Sequence, residues 1–260
     1  MTKTMKDPLG DRMKGYENDY RAYVGDSIHP PIYLYMRIDG RSFSNFTREL
    51  SSRGLLTKPR DKNFEDVFIR TVKDTVSEFN LLLGFHQSDE TSLFFAPLVN
   101  PESQLLFDGN IQKLTSVVSS YFTSRFCYHF NEKFEEVPEC SFDARIAAFK
   151  DSTEATNMLV WRYQDARRNL IQDIAHHQFG AKKLHKVSTR EKFEMIGSPE
   201  LRPGNFIKRV RYMLPVDTQG KVNIASEVAR SRTDLIDVDF DSLDFDGRVA
   251  LIYEKMVVPA

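Results

Sequence analysis

The chain has 260 residues, 41% of them hydrophobic and 28% charged, with a formal net charge of −1; this is the composition of a globular protein and excludes a chain disordered throughout. So small a net charge gives no global attraction to nucleic acid, and an RNA or DNA partner needs a local basic patch. Two cysteines, Cys127 and Cys140, are too few for a disulfide framework or a cysteine-rich zinc site, and no window approaches eighteen uninterrupted apolar residues, which excludes a membrane-spanning helix. The opening MTKTMKDPLGDRMK mixes acids and bases without an apolar centre, unlike a signal peptide, and a reducing, cytoplasmic location is expected.

In chain order, residues 10–23 read as a polar helical segment. Pro30-Pro31 stops any helix and opens the extended run IYLYMRI, which breaks off at Asp39-Gly40. The loop LTKPRDKNF leads into a helix over 61–79, because Phe64, Val67, Phe68, Val72, Val76 and Phe79 recur every three to four residues. Two short strands follow, LLLGFHQ and TSLFFAP, joined by Ser88-Asp89-Glu90. A second long helix is expected over 102–130, with Ile111, Leu114, Val118, Tyr121 and Phe122 buried, and FDARIAAF reads as a further strand.

That β-α-β-β-α-β order predicts an α+β fold with a ferredoxin-like core. In its usual antiparallel sheet the first and third strands are neighbours, so Asp39 and Gly40 should meet Ser88, Asp89 and Glu90. After Phe149 the character changes. A helix over 151–177, capped by Asp151 or Ser152, carries Ala155, Leu159, Ala166 and Leu170 along one stripe. The locally basic AKKLHKVSTREK comes next. RPGNFIKRVRYMLPV with KVNIASEV reads as a hairpin around residues 217–220, and residues 234–246 are acidic. The expected division is a catalytic core with its N-terminal helix over 1–150 and a helical and hairpin extension over 151–260, packed on it as one unit.

Asp, Gly and Ser are common turn residues, so either acidic stretch alone reads as a turn. Together they point to a metal. Two carboxylates driven to the same strand ends repel each other unless a cation sits between them, and magnesium takes a few carboxylate oxygens while leaving positions for phosphate. Two such ions, about 3.5–4 Å apart, can activate a hydroxyl and steady a leaving pyrophosphate. Gly40 can offer its carbonyl and let a triphosphate approach the backbone.

RIDGRSF followed by QSDETSLFF resembles the tRNA-histidine guanylyltransferase superfamily, including Thg1-like members that polymerise in the 3′→5′ direction; KPRD, IQKLTSVVSSYF, FDARI and WRYQDARRN extend the resemblance over about residues 10–210. It implies a polymerase-palm core with two magnesium ions on Asp39 and Asp89 and the Gly40 carbonyl as a further ligand. Asp39, Gly40, Arg41, Ser42, Phe43 and Ser44 with Ser88 and Asp89 would cradle the triphosphate, and Glu90 would assist catalysis. Lys58 and Lys113 match phosphate-contacting lysines, although exposed lysines are ordinary surface by default. Arg162, Asp165 and Asn169 share a helix face and match a site for the RNA end. Lys182 and Lys183, with Lys186, Arg190 and Lys192, form the best basic patch for RNA, and Trp161 reads as a core anchor.

Two positions depart from the family pattern. Ser44 stands where many members carry histidine. Arg167, in RRNL, replaces a histidine of members dedicated to tRNA-histidine. The expected activity is therefore template-dependent repair of a tRNA-like 5′ end, using ATP and GTP or other nucleoside triphosphates, in a homotetramer. The alternatives are dedicated guanylate addition to tRNA-histidine, a small-molecule nucleotidyltransferase such as a cyclase, and a catalytically silent tRNA-binding protein.

Overall fold

The apolar run after Pro31 forms β1 (Tyr33–Gly40), in which residues 34–38 are all buried because helices cover both faces of the sheet. The computed structural model describes residues 8–18, 31–57, 59–100, 104–199, 201–214 and 228–259. Around β1 lie α1 (Pro8–Asn18), α2 (Phe43–Ser52), α3 (Lys62–Glu78), β2 (Leu83–Gln87), β3 (Glu90–Phe94), α4 (Ile111–Phe134) and β4 (Phe142–Phe149). The second part of the chain adds α5 (Ser152–Lys183), α6 (Thr189–Met195), β5 (Asn205–Leu214), β6 (Val228–Ile236), α7 (Phe245–Tyr253) and β7 (Met256–Pro259).

The strands make one sheet in the order β4-β1-β3-β2-β5-β6, antiparallel throughout, with β7 added parallel to β5. Its first four strands have the predicted neighbours, and the sheet continues through β5 across the expected boundary near residue 150. On one face, α3 and α4 bury Val67, Phe68, Val72, Val76, Leu114, Val118, Phe122 and Phe126. Each such side chain contributes roughly 1.5–3 kcal/mol by leaving water. On the other, α1, α5 and α7 pack Met13, Met158, Trp161 and Ile252 against Tyr35, Phe85 and Phe149. Trp161 is a core anchor, 4% exposed.

Several boundaries differ from the sequence reading. The first helix starts at Pro8, and residues 19–23 lie outside the described residues. α4 begins at Ile111 because the Asn110 side chain accepts the Lys113 N–H as an N-cap; a short 3-10 turn, Leu106–Gly109, precedes it. Asp151 caps α5, which runs on to Lys183 past a non-helical Gly180. The second hairpin strand is β6, later than the expected 221–228; that segment, apart from Val228, and the 217–220 turn lie outside the described residues. α2 was not anticipated, and the acidic 234–246 stretch divides between β6, a connecting segment and α7.

Candidate active site

The antiparallel register of β1 and β3 sets Asp39 opposite Glu90, and the Gly40 N–H donates to the Asp89 carbonyl at 3.1 Å. On the other side β4 places Asp143 opposite Asp39 and Phe142 opposite Gly40, and the Arg41 N–H donates to the Ser141 carbonyl at 2.9 Å. Main-chain bonds therefore hold the first acidic turn from both flanks. Asp143, read from sequence only as part of a strand, joins this strand end through pairing alone.

Both turns contain a serine in the left-handed region, Ser42 at φ 58° and Ser88 at φ 53°. Non-glycine residues seldom adopt it, and such backbone strain clusters at functional sites. Ser42 ends the turn and starts α2 with no side-chain cap, so helix N–H groups at Phe43 and Ser44 face outward unpaired within the helix. Gly40 is required for space. A Cβ there would lie 2.3 Å from Cδ2 of Phe43, itself 2% exposed and packed against Phe46, Phe68, Phe126 and Phe142. Gly40→Ala is expected to cost about 1–3 kcal/mol of stability, read as a lower urea midpoint, and to slow turnover by shifting the turn.

Burial, and then the charge of Asp39, push the Asp89 carboxyl above its ordinary value. Burial also pushes Glu90 up to about 6, against the downward pull of Arg162 and Arg37 and with a further upward push from Asp39. At neutral pH Glu90 is ionised, and Arg162 grips it with Nε–Oε1 at 2.6 Å and Nη2–Oε2 at 2.7 Å. The same guanidinium donates to Asp165 at 2.9 Å and lies over the Trp161 ring. Arg37 stands 3.8 Å from Asp39 and 3.9 Å from Glu90.

Among the described residues no group of three or more His, Cys, Asp or Glu could hold a metal ion. By their chemistry Asp39, Asp89 and the Gly40 carbonyl offer hard oxygen atoms, and the Asp39 charge that raises Asp89 is one that a divalent cation would offset. That chemistry fits magnesium, which keeps several non-protein ligands.

A cleft of about 630 Å³ opens beside Ser88 and Asp89, lined by Phe43 and Ser44 of α2, Asp61 and Phe64 at the start of α3, and Asn169 of α5. Arg60 closes one wall by donating to the carbonyls of Arg202 and Pro203 at 3.1 and 3.2 Å. His86 also lines it. That ring is 2% exposed and stacked on Phe68 at 4.6 Å; burial holds it at about 3, hence neutral, and Nδ1 has no hydrogen-bond partner among the described residues. Neither Arg60 nor His86 carries a local sequence signal for this placement.

The expected RNA-facing set separates. Asn169 is exposed and lines the cleft, whereas Arg162 is 5% exposed and engaged with Glu90 and Asp165, because packing turns it towards the sheet. Lys182 and Lys183 are exposed at the end of α5, but Lys192 of the same expected patch is buried and donates to Gln172. Lys58 lies outside the described residues. Lys113 does not join the acidic turn. Phe126 and Phe130 of α4 touch Phe43 and Phe46, so Lys113, thirteen residues before Phe126, lies roughly 20 Å along the helix from that end.

The family model described as tRNAHis guanylyltransferase matches residues 10–150. This chain belongs to that family. It is a nucleotidyltransferase. An uncharacterized protein of Acanthamoeba polyphaga mimivirus is 34% identical over 219 residues, 75% of this chain and 72% of its own length. The tRNA(His) guanylyltransferase of Saccharomyces cerevisiae is 27% identical over 201 residues, 71% of this chain and 80% of that protein. A solved structure of a bacterial tRNA(His) guanylyltransferase-like protein in complex with ATP aligns with TM-score 0.70 and 25% identity, covering 94% of this chain and 99% of that one. Within this member of the tRNAHis guanylyltransferase family, Arg167 points to the connecting segment after β6, donating to Asp241 at 2.8 Å beside a Tyr163 hydroxyl that bonds the same carboxylate. No helix of the described residues is long and apolar enough to cross a membrane.

Proposed function

We propose that this nucleotidyltransferase extends the 5′ end of tRNA or a tRNA-like RNA in the 3′→5′ direction, copying the opposing strand to repair truncated ends. The observation that carries the reading is the meeting of the two acidic turns at the strand ends, beside an uncapped helix N-terminus and a cleft large enough for a nucleotide. Carboxylates at the ends of central strands of such a sheet are the layout of a polymerase palm.

Asp39 and Asp89, with the Gly40 carbonyl, would hold two magnesium ions. When bound, they would offset phosphate charge and lower the pKa of an attacking hydroxyl. The first amides of α2, with Arg41, Ser42, Ser44 and Ser88, receive triphosphate oxygens, since a helix N-terminus is electropositive and its N–H groups are free. The 3′-hydroxyl of the incoming nucleoside triphosphate attacks a 5′ phosphate, previously activated by adenylylation with ATP or present as a triphosphate, and pyrophosphate or AMP leaves. Glu90 acts through position: gripped by Arg162, it fixes the strand next to Asp39. Lys58 would contact phosphate, as the resemblance to the family implies. Asn169 faces the RNA end in the cleft, and Lys182 and Lys183 neutralise RNA phosphates.

Template-directed repair is favoured over dedicated guanylate addition by Arg167. It stands where dedicated members carry histidine, and Asp241 ties it away from Asn169. The deciding experiment incubates 5′-monophosphorylated tRNAs, full-length and lacking the first nucleotide, with magnesium, ATP and single labelled nucleoside triphosphates. Extension of the truncated tRNA that follows the opposing base is expected. Guanylate addition to tRNA-histidine alone would replace the repair reading, and turnover of triphosphate without RNA would remove both.

A further inference from the structure

The two cysteines of the chain, Cys127 on α4 and Cys140 just before β4, have their sulfurs 4.0 Å apart, and both are half-buried free thiols. Cys127 also faces the Pro138 carbonyl at 3.7 Å. This pair lies beside the acidic turn by direct connection. Ser141, the residue after Cys140, accepts the Arg41 N–H, and Phe142 pairs with Gly40. Phe126, the residue before Cys127, packs on Phe43.

We propose that Cys127 and Cys140 form a reversible intrachain disulfide that couples thiol oxidation to the geometry of the triphosphate turn. A disulfide bond is about 2.05 Å long, so closure draws the sulfurs together by about 2 Å. α4 is anchored through Phe126 and Phe130 in the aromatic core, whereas the segment from residue 137 to 141 has no regular secondary structure. The travel therefore falls on the Cys140 side and is passed through Ser141 to the Arg41 amide and Gly40. The two sulfurs face each other, so whichever thiol ionises first attacks and the other resolves.

The oxidant is a small disulfide such as oxidised glutathione. One of the two cysteines, as its thiolate, attacks a sulfur of that disulfide, breaking the S–S bond and releasing one glutathione thiolate. The other cysteine then loses its proton to solvent and displaces the second glutathione thiolate from the first. Two protein thiols are oxidised and one glutathione disulfide is reduced to two thiols.

The test treats the full chain with oxidised glutathione, traps remaining thiols by alkylation and weighs the intact protein, with nucleotidyl transfer assayed in parallel. A monomer with no alkylatable thiol and no glutathione adduct is expected, with transfer lowered about tenfold by the displaced turn and restored by dithiothreitol. Cys127→Ser and Cys140→Ser should each keep basal transfer and lose the response. Two alkylatable thiols, glutathione adducts alone or linked dimers alone would overturn the proposal, as would a crosslinked monomer with full transfer. The activity arm rests on the proposed function and the mass arm does not: a reduced protein without any transfer would fail that function, and the thiol count would still decide the pair.

Discussion

Asp39→Asn and Asp89→Asn each lower nucleotidyl transfer by about 100- to 1,000-fold, while the unfolding midpoint stays level or rises. The activity loss follows because neither amide can hold a divalent cation against a triphosphate, and such preorganised charge is worth about 10²–10³-fold per group removed. The stability direction follows from the turn itself. Burial and the neighbouring Asp39 charge both disfavour ionised Asp89, so removing one negative charge relieves repulsion in the folded state. The linkage sign agrees: a carboxyl raised above its unfolded value takes up a proton on folding, so its contribution to stability falls as pH rises through that window. Single-turnover extension assays with urea denaturation of the same variants would check both parts. A folded variant with near-normal rate would remove the metal role of these carboxylates.

Arg162→Met lowers stability by about 3–5 kcal/mol at pH 8, because it removes the bidentate partner of a buried carboxylate and leaves Glu90 only Arg37, 3.9 Å away and shared with Asp39. Part of that loss returns as the pH is lowered. Glu90 already sits at about 6 with Arg162 present, and losing the guanidinium removes a downward pull. Its folded value moves further above the unfolded one, so the variant gains stability as pH falls through the folded value towards about 4.5. Urea midpoints at pH 8 and pH 5 read this directly. An unchanged midpoint with weakened tRNA binding would return Arg162 to the RNA surface.

What local pattern encodes, the sequence alone determined. The run FDARIAAF coincides with β4, the three-to-four spacing of Val67, Phe68, Val72 and Val76 with the buried face of α3, and the strand order brought Asp39 beside Glu90. These follow from a short apolar-rich run, helical periodicity and a sheet topology with few alternatives, and the resemblance of the two acidic motifs pointed to the family now shown by the match over residues 10–150. α2 was missed because the turn ahead of it uses a left-handed serine, not a side-chain cap, so no start signal is written at Ser42.

The tertiary structure alone decided which charges face which. Arg162, Asp165 and Asn169 share a helix face by spacing, yet α5 lies so that Arg162 reaches Glu90, 72 residues away, while Asn169 opens to the cleft. Lys192, in a basic run, is buried, and Lys113 lies roughly 20 Å along α4 from Phe126, which touches Phe43. Asp143, Arg60 and His86 reach the site only through pairing and packing. The physical reason is common to all of them. Backbone periodicity is set by neighbours a few residues apart, whereas the environment of a charged side chain is set by whatever distant segment the core packs against it.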